Sequence, residues 1–139
     1  MLGTLNMASA AGRVMVEQGR GSIVNISALG GGLVGLGRGG SGYGRSKGGI
    51  VSLKRDLAVE WTRLGVRVNA VAPGAIQGRW LKGGLGEAYD QVMGGIAAQV
   101  PLKATCTPED VAEAIVRLIT GSDLVTGQIL VCDGGMLIG

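Results

Sequence analysis

Three short runs of β-branched and aliphatic residues, each bounded by glycine or proline, do most to limit what this chain can become. They are GSIVNIS at 21–27, VRVNAVA at 66–72 and GQILVCDGG at 127–135. Runs of that length and composition read as buried strands. Between them the apolar residues recur every three or four positions. Leu5, Ala8, Val14 and Met15 fall near one helical face over 5–18, with Gly19 as the stop. From Ser41 to Leu64 the residues Ile50, Leu53, Leu57 and Trp61 repeat the pattern, and Gly65 ends it. The segment 107–120 has the strongest helix start: Thr107 as N-cap, Pro108 in the first turn, then Glu109 and Asp110 to complement the helix dipole. Residues 75–104 are less regular, and 86–100 predicts a short helix interrupted at Gly94 and Gly95.

Alternating helices and strands make an α/β fold with parallel strands and right-handed crossovers. Near-continuous apolar strands suit a parallel sheet covered on both faces. A chain of 139 residues has the size of one domain and can bury a core. Neither an internal repeat nor a linker breaks it, so it reads as one domain or part of one.

Absences narrow the chemistry. With no histidine there is no Ser-His-Asp triad, no histidine-ligated zinc and no imidazole base. Cys106 and Cys132 lack metal-like spacing and read as core or loop thiols in a reducing compartment; no metal site is expected. A net charge of +3, spread among acids, gives no basic stripe for nucleic acid. The first fifteen residues lack the basic start and apolar core of a signal peptide, and no apolar run approaches the ~18 residues of a membrane span. The expectation is a cytoplasmic protein without membrane or nucleic-acid partners.

Two glycine-rich motifs compete for function. GLGRGG at 35–40 matches the dinucleotide fingerprint through Gly35, Gly37 and Gly40. That fingerprint works only where its first glycine directly follows a strand, so that the helix N-terminus meets the pyrophosphate. Here Ala28 to Val34 intervene, and the following strand ends in Ala72-Pro73 without the acid that would bind ribose. The bland reading, a loop, is preferred. The second motif, SGYGRSKGG at 41–49, sets Tyr43 and Lys47 four apart, on one helical face. An ammonium held there favours tyrosinate and makes the pair a candidate proton donor and acceptor. Alone, the spacing is as easily a solvated first turn.

It does not stand alone. A strand ending in serine, a loop, Tyr-x-x-x-Lys, then a strand ending in Asn-x-x-x-Pro-Gly is a long ordered constellation. Through GSIVNIS, YGRSKGGIVSLKRDLAVEW, GVRVNAVAPGAI and TGQILVCDGG the chain resembles the short-chain dehydrogenase/reductase family nearly end to end, in the manner of its 3-oxoacyl-carrier-protein reductase and sugar-alcohol dehydrogenase members. The resemblance implies residues 1–139 to be the C-terminal part of a doubly wound Rossmann-type sheet, three strands with flanking helices, lacking the N-terminal nucleotide-binding βαβ units. It implies hydride transfer between NAD or NADP and an alcohol or ketone. Tyr43 would be the acid/base, Lys47 its partner and ribose contact, and Pro73, Gly74 and Ile76 the lining of the nicotinamide side. Asn69 would tie loops together. Helices 5–18 and 43–64 would carry a homo-oligomer interface, and the first strand would be left as a bare edge.

The chain departs from the family at three places. The serine that polarises the substrate carbonyl should be the second of two small residues after the strand, yet that place holds Ala28. Either Ser27 fills the role through a shifted turn, or the polarising hydroxyl is missing. The threonine that commonly follows the Pro-Gly segment is replaced by Gly78. The phosphate loop, which also decides between NAD and NADP, would precede residue 1. Two functions are therefore carried: an oxidoreductase, and a catalytically silent homologue acting in binding or assembly. Arg38, Arg79, Trp80 and Tyr89 are candidate substrate contacts that read equally as solvated loop positions.

Overall fold

The computed structural model describes residues 1–35 and 41–139; most of the GLGRGG stretch, with Arg38, lies outside them. Helix α1 (Leu2–Glu17) leads to strand β1 (Gly21–Ile26), and helix α2 (Ser41–Trp61) with a terminal 3₁₀ turn leads to strand β2 (Val66–Pro73). Helices α3 (Arg79–Leu85), α4 (Tyr89–Gln99) and α5 (Pro108–Thr120) follow, and strand β3 (Ile129–Cys132) closes the order. The strands form one parallel sheet in the order β1-β2-β3, with Gly21 opposite Val66, Ile26 opposite Val71 and Pro73 opposite Cys132. This is the open three-stranded part of a Rossmann-type sheet that the sequence predicts. β1 lies at an edge, with β2 as its partner among the described residues.

All eight residues of β2 are buried, which explains why its text is almost free of alternation. Side chains on successive residues still point to opposite faces. Val66 and Val68 pack with Ala8, Leu57 and Ala58 beneath α1 and α2, whereas Val71 packs with Val111, Ala114 and Leu118 of α5. The polar residues of β2 face α5 too, and both bond mainly to backbone, with Arg67 also 3.5 Å from the exposed Asp123 carboxylate. The Arg67 guanidinium donates to Leu118 O at 2.8 Å and Ile119 O at 2.9 Å, at the carbonyl end of α5 where a cation is favoured. Asn69 donates to Val125 O and accepts from Gln128 N, each at 2.9 Å. It ties the 121–128 loop to the sheet, as the resemblance implied.

The N-terminus of α5 forms as its sequence predicts. Thr107 Oγ1 accepts from Asp110 N at 3.1 Å, and Asp110 Oδ2 accepts from Thr107 N at 2.8 Å, a reciprocal cap. Residues 79–99 differ from expectation. The short helix α3 forms despite Gly83 and Gly84, and α4 runs unbroken through Gly94 and Gly95. Each exposed glycine costs a helix only about 1 kcal/mol relative to alanine. Met93, the buried residue of α4, anchors the element across them. Among the described residues no helix is long and apolar enough to cross a membrane.

Candidate functional site

The carboxyl ends of β1 and β2 lie side by side, and the chain leaving β1 stays in register beyond the strand. Ser27 N donates to Val71 O at 2.9 Å and Leu29 N to Pro73 O at 2.8 Å. In open parallel sheets the crevice beyond the carboxyl ends of the strands is where ligands bind. Of the residues singled out in the sequence, Ser27, Tyr43, Lys47, Pro73, Gly74 and Ile76 come to this end, in two groups.

The first group joins β1 to α2. Tyr43 in the first turn and Lys47 one turn later share a face, with Lys47 Nζ 5.8 Å from the centre of the Tyr43 ring, within cation–π reach. Tyr43 is about half exposed, so its hydroxyl can meet a ligand. Lys47 Nζ donates to Ile26 O at 2.9 Å, at the last residue of β1. The next residue returns the bond: Ser27 Oγ donates to Lys47 O at 3.0 Å. Strand end and helix turn are thus laced by two side chains. Desolvation holds the Lys47 ammonium below the ordinary lysine value.

Ser27 is only 2% exposed, its hydroxyl turned under the helix, and Ala28 is also buried. Beyond them the backbone makes a tight turn in which Leu33 N and Val34 N both donate to Leu29 O at 3.0 Å. Gly31 is left-handed there, at φ 80°. A side chain on Gly32 would collide with Ala28 O and Ser27 Oγ.

The second group is the segment Pro73 to Gln77. Gly74 N donates to Cys132 O at 2.9 Å, Cys106 N to Ala75 O at 2.9 Å, and Gln77 N to Cys106 O at 2.8 Å. Ile76 is bridged to Cys106 as a short parallel pair. Gly78 follows in extended conformation as the N-cap of α3, and a Cβ there would meet nothing within 4 Å.

Not every candidate joins the site by a bond. Arg79 and Trp80 are exposed on α3, Trp80 at 88%. Tyr89 is half-buried at the start of α4, its ring 5.9 Å from Lys82 Nζ. Because β1 ends at Ile26, Gly35 does not sit in a strand-to-helix turn. The sequence reading missed one feature: Cys106 and Cys132, distant in the chain, bring their sulfurs within 3.9 Å. No spacing rule signals them; only the parallel placement of the segments carrying them does.

Comparison with known proteins gives the geometry a context. The family model described as enoyl-(acyl carrier protein) reductase matches residues 1–137. The chain is 41% identical to the 3-oxoacyl-[acyl-carrier-protein] reductase of Bos taurus, over 98% of its own length and 53% of that protein's. It is 39% identical to the inactive 2-(S)-hydroxypropyl-CoM dehydrogenase 2 of Xanthobacter autotrophicus, over 96% of its own length and 59% of that protein's. The solved structure of ElxO with NADP bound superposes with a TM-score of 0.89 at 32% identity, covering all of this chain and 55% of that one. The chain therefore spans about half the length of the relatives it matches.

Proposed function

The chain belongs to the short-chain dehydrogenase/reductase family, and on that premise we propose that it carries the proton-transfer and nicotinamide side of an NAD(P)-dependent oxidoreductase acting on an alcohol or carbonyl. The observation that carries this reading is the lacing of Lys47 to the end of β1 beside a half-exposed Tyr43. A cofactor's nicotinamide, when bound, supplies or takes up the hydride. The rest is the work of this chain. Tyr43 Oη donates the proton that a reduced carbonyl oxygen takes up, or accepts it from an alcohol. Lys47, anchored by one of its three N–H donors on Ile26 O, keeps the others for the ribose and its positive charge for the tyrosine oxygen. Pro73, Gly74 and Ile76 form the wall against the nicotinamide, and the open space at Gly78 leaves room beside it.

The fit is to the nicotinamide side alone. After β1 the residues Gly30, Gly32 and Gly35 do fall at the fingerprint spacing, but they lie in the turn closed on Leu29 O, and the next described helix, α2, begins only at Ser41, so no helix N-terminus opens directly from them. The phosphates would be held by βαβ units pairing on β1. That completion is supported by the edge position of β1 and by Asn25, a buried residue of β1 whose Nδ2 finds no acceptor among the described residues. Homo-oligomer formation through α1 and α2 is supported by their outward apolar side chains, Leu2, Met7, Val14 and Val59 among them. Sedimentation as a dispersed monomer would count against it.

A second reading is favoured by one observation. With Ser27 Oγ committed to Lys47 O and alanine at the next position, a silent homologue that binds without turnover is consistent with the site. One experiment separates the two. NADH and NADPH are titrated by fluorescence, and turnover is measured with a panel of ketones and alcohols. With phosphate-holding βαβ units joined to β1, the enzyme reading expects turnover that falls about 100- to 10,000-fold in Tyr43→Phe with cofactor affinity unchanged. Equal turnover in Tyr43→Phe overturns the role of the tyrosine; binding without turnover selects the silent homologue.

A further inference from the structure

Beside the site, a cleft of about 460 Å³ opens between α5 and β3, lined among others by Thr105, Cys106, Asp110, Glu113, Arg117 and Cys132. Cys106 is buried and Cys132 half-buried, both free thiols. Their sulfurs are 3.9 Å apart, and Cys106 Sγ donates to Cys132 O at 2.9 Å. Their backbones border the Pro73–Gln77 segment one after the other. Cys132 pairs with Pro73 and accepts from Gly74 N, while Cys106 bridges Ile76 and accepts from Gln77 N.

We propose that Cys106 and Cys132 are a reversible dithiol–disulfide pair, oxidised by small peroxides entering this cleft, and that the disulfide locks the Pro73–Gln77 wall to β3. The gap need close only from 3.9 Å to the ~2 Å of an S–S bond. Cys132 reacts first, because it is the more exposed and because burial beside it pushes the Cys106 thiol up to about 11. The Cys132 thiolate attacks one peroxide oxygen, the O–O bond breaks, and the other oxygen leaves as hydroxide, giving a sulfenic acid. The Cys106 sulfur then attacks Cys132 Sγ, the S–O bond breaks, and the departing hydroxide takes the Cys106 proton as water. Two thiols lose two electrons, and one peroxide becomes two waters. A small thiol entering the same cleft reverses the bond by exchange at Cys132. Formation of the pair is independent of the proposed function; only its bearing on cofactor rests on that reading.

The test uses the purified, reduced chain without cofactor, treated with hydrogen peroxide at a few-fold excess. Expected are loss of both thiols together, a mass lower by two hydrogens, no disulfide-linked dimer on a non-reducing gel, and recovery with dithiothreitol. Amide exchange at Gly74 and Gln77 should slow in the oxidised chain. In Cys106→Ser the remaining thiol should gain oxygen instead, and in Cys132→Ser the buried Cys106 should stay reduced at the same dose. Oxygen addition without cross-linking in the unsubstituted chain, disulfides only between chains, or no reaction before methionine oxidation would each overturn the pair. A disulfide that leaves Gly74 and Gln77 exchange unchanged would overturn the lock. Should the disulfide form while the chain fails to bind NADPH even with phosphate-holding βαβ units joined to β1, the pair stands and the cofactor reading falls.

Discussion

The two walls of the candidate site are held by different kinds of bond. The Tyr43–Lys47 wall is joined to the sheet by side chains, through Lys47 Nζ to Ile26 O and Ser27 Oγ to Lys47 O. The Pro73–Gln77 wall is held by backbone to backbone, through Gly74, Ala75 and Gln77 against Cys106 and Cys132. A wall built from backbone bonds tolerates changes of side chain so long as nothing intrudes on the chain itself. A wall built from side chains can be undone one atom at a time. That division suits the proposed function, in which one wall would supply shape and the other would move a proton.

The largest effect should come from Gly32→Ala. The added methyl collides with Ala28 O, a backbone atom, and with Ser27 Oγ, so the turn must shift relative to the end of β1. A loss of about 3 kcal/mol in chemical denaturation is expected, at the upper end for overpacking. Faster exchange should appear at Leu33 and Val34, with Gly74 and Gln77 unchanged. Loosening of both walls together would show them to be one cooperative unit and end the comparison. Gly74→Ala is the mirror experiment. Its methyl would lie 3.0 Å from Asp133 Cβ and 3.1 Å from Asp133 Cα, a tight contact that a small shift relieves. About 1–2 kcal/mol should be lost, confined to the second wall and read as faster exchange at Gly74 alone.

How much of this was legible in the sequence follows from the same division. The strands, the long helices and the N-cap at Thr107 were readable because period and local chemistry determine them, whereas Asp110 was read only as a charge for the helix dipole and proves also to close the cap on Thr107 N. The Tyr43–Lys47 face was readable because four residues on a helix is a local geometry. Which way Ser27 points was not. That depends on a 3.0 Å bond to a helix twenty residues away, made possible by the register of β1 on β2. Nor could 79–85 be read as a helix, since Gly83 and Gly84 dilute its pattern. The pairing of Cys106 with Cys132 was illegible for a related reason: it arises from β2 bringing the two flanking segments together.

Ser27→Ala should be milder than either glycine substitution, at about 1 kcal/mol, the worth of one net hydrogen bond. It also decides what the hydroxyl is for. A positioning role predicts lower turnover with weaker cofactor binding, as α2 loosens on β1. A hydroxyl that polarises the substrate carbonyl instead predicts lower kcat with cofactor affinity intact. Restoration of both by Ser27→Thr would favour positioning by the hydrogen bond.

The smallest effect is the pH dependence that Lys47 gives the first wall. Burial lowers the Lys47 pKa in the folded chain below the ordinary value of 10.5. Between the lowered value and 10.5 the unfolded chain binds a proton that the folded chain does not, so stability rises with pH across that window. Below the window both forms are protonated and the cost of burying the ammonium is fully present. Lys54, whose pKa is lowered by burial and by Arg55, contributes a slope of the same sign. Cys106 contributes the opposite sign, because its folded value of about 11 lies above 9.0 and the folded chain is then the one that keeps its proton. The total is therefore uninformative, but the difference between the parent and Lys47→Gln isolates one group. In urea melts from pH 8 to pH 10 the parent should gain stability relative to Lys47→Gln as pH rises. A difference that stays flat would mean that Lys47 is as well solvated folded as unfolded. The first wall would then hold its lysine by the bond to Ile26 O alone, without the desolvation that sets it apart from a surface ammonium.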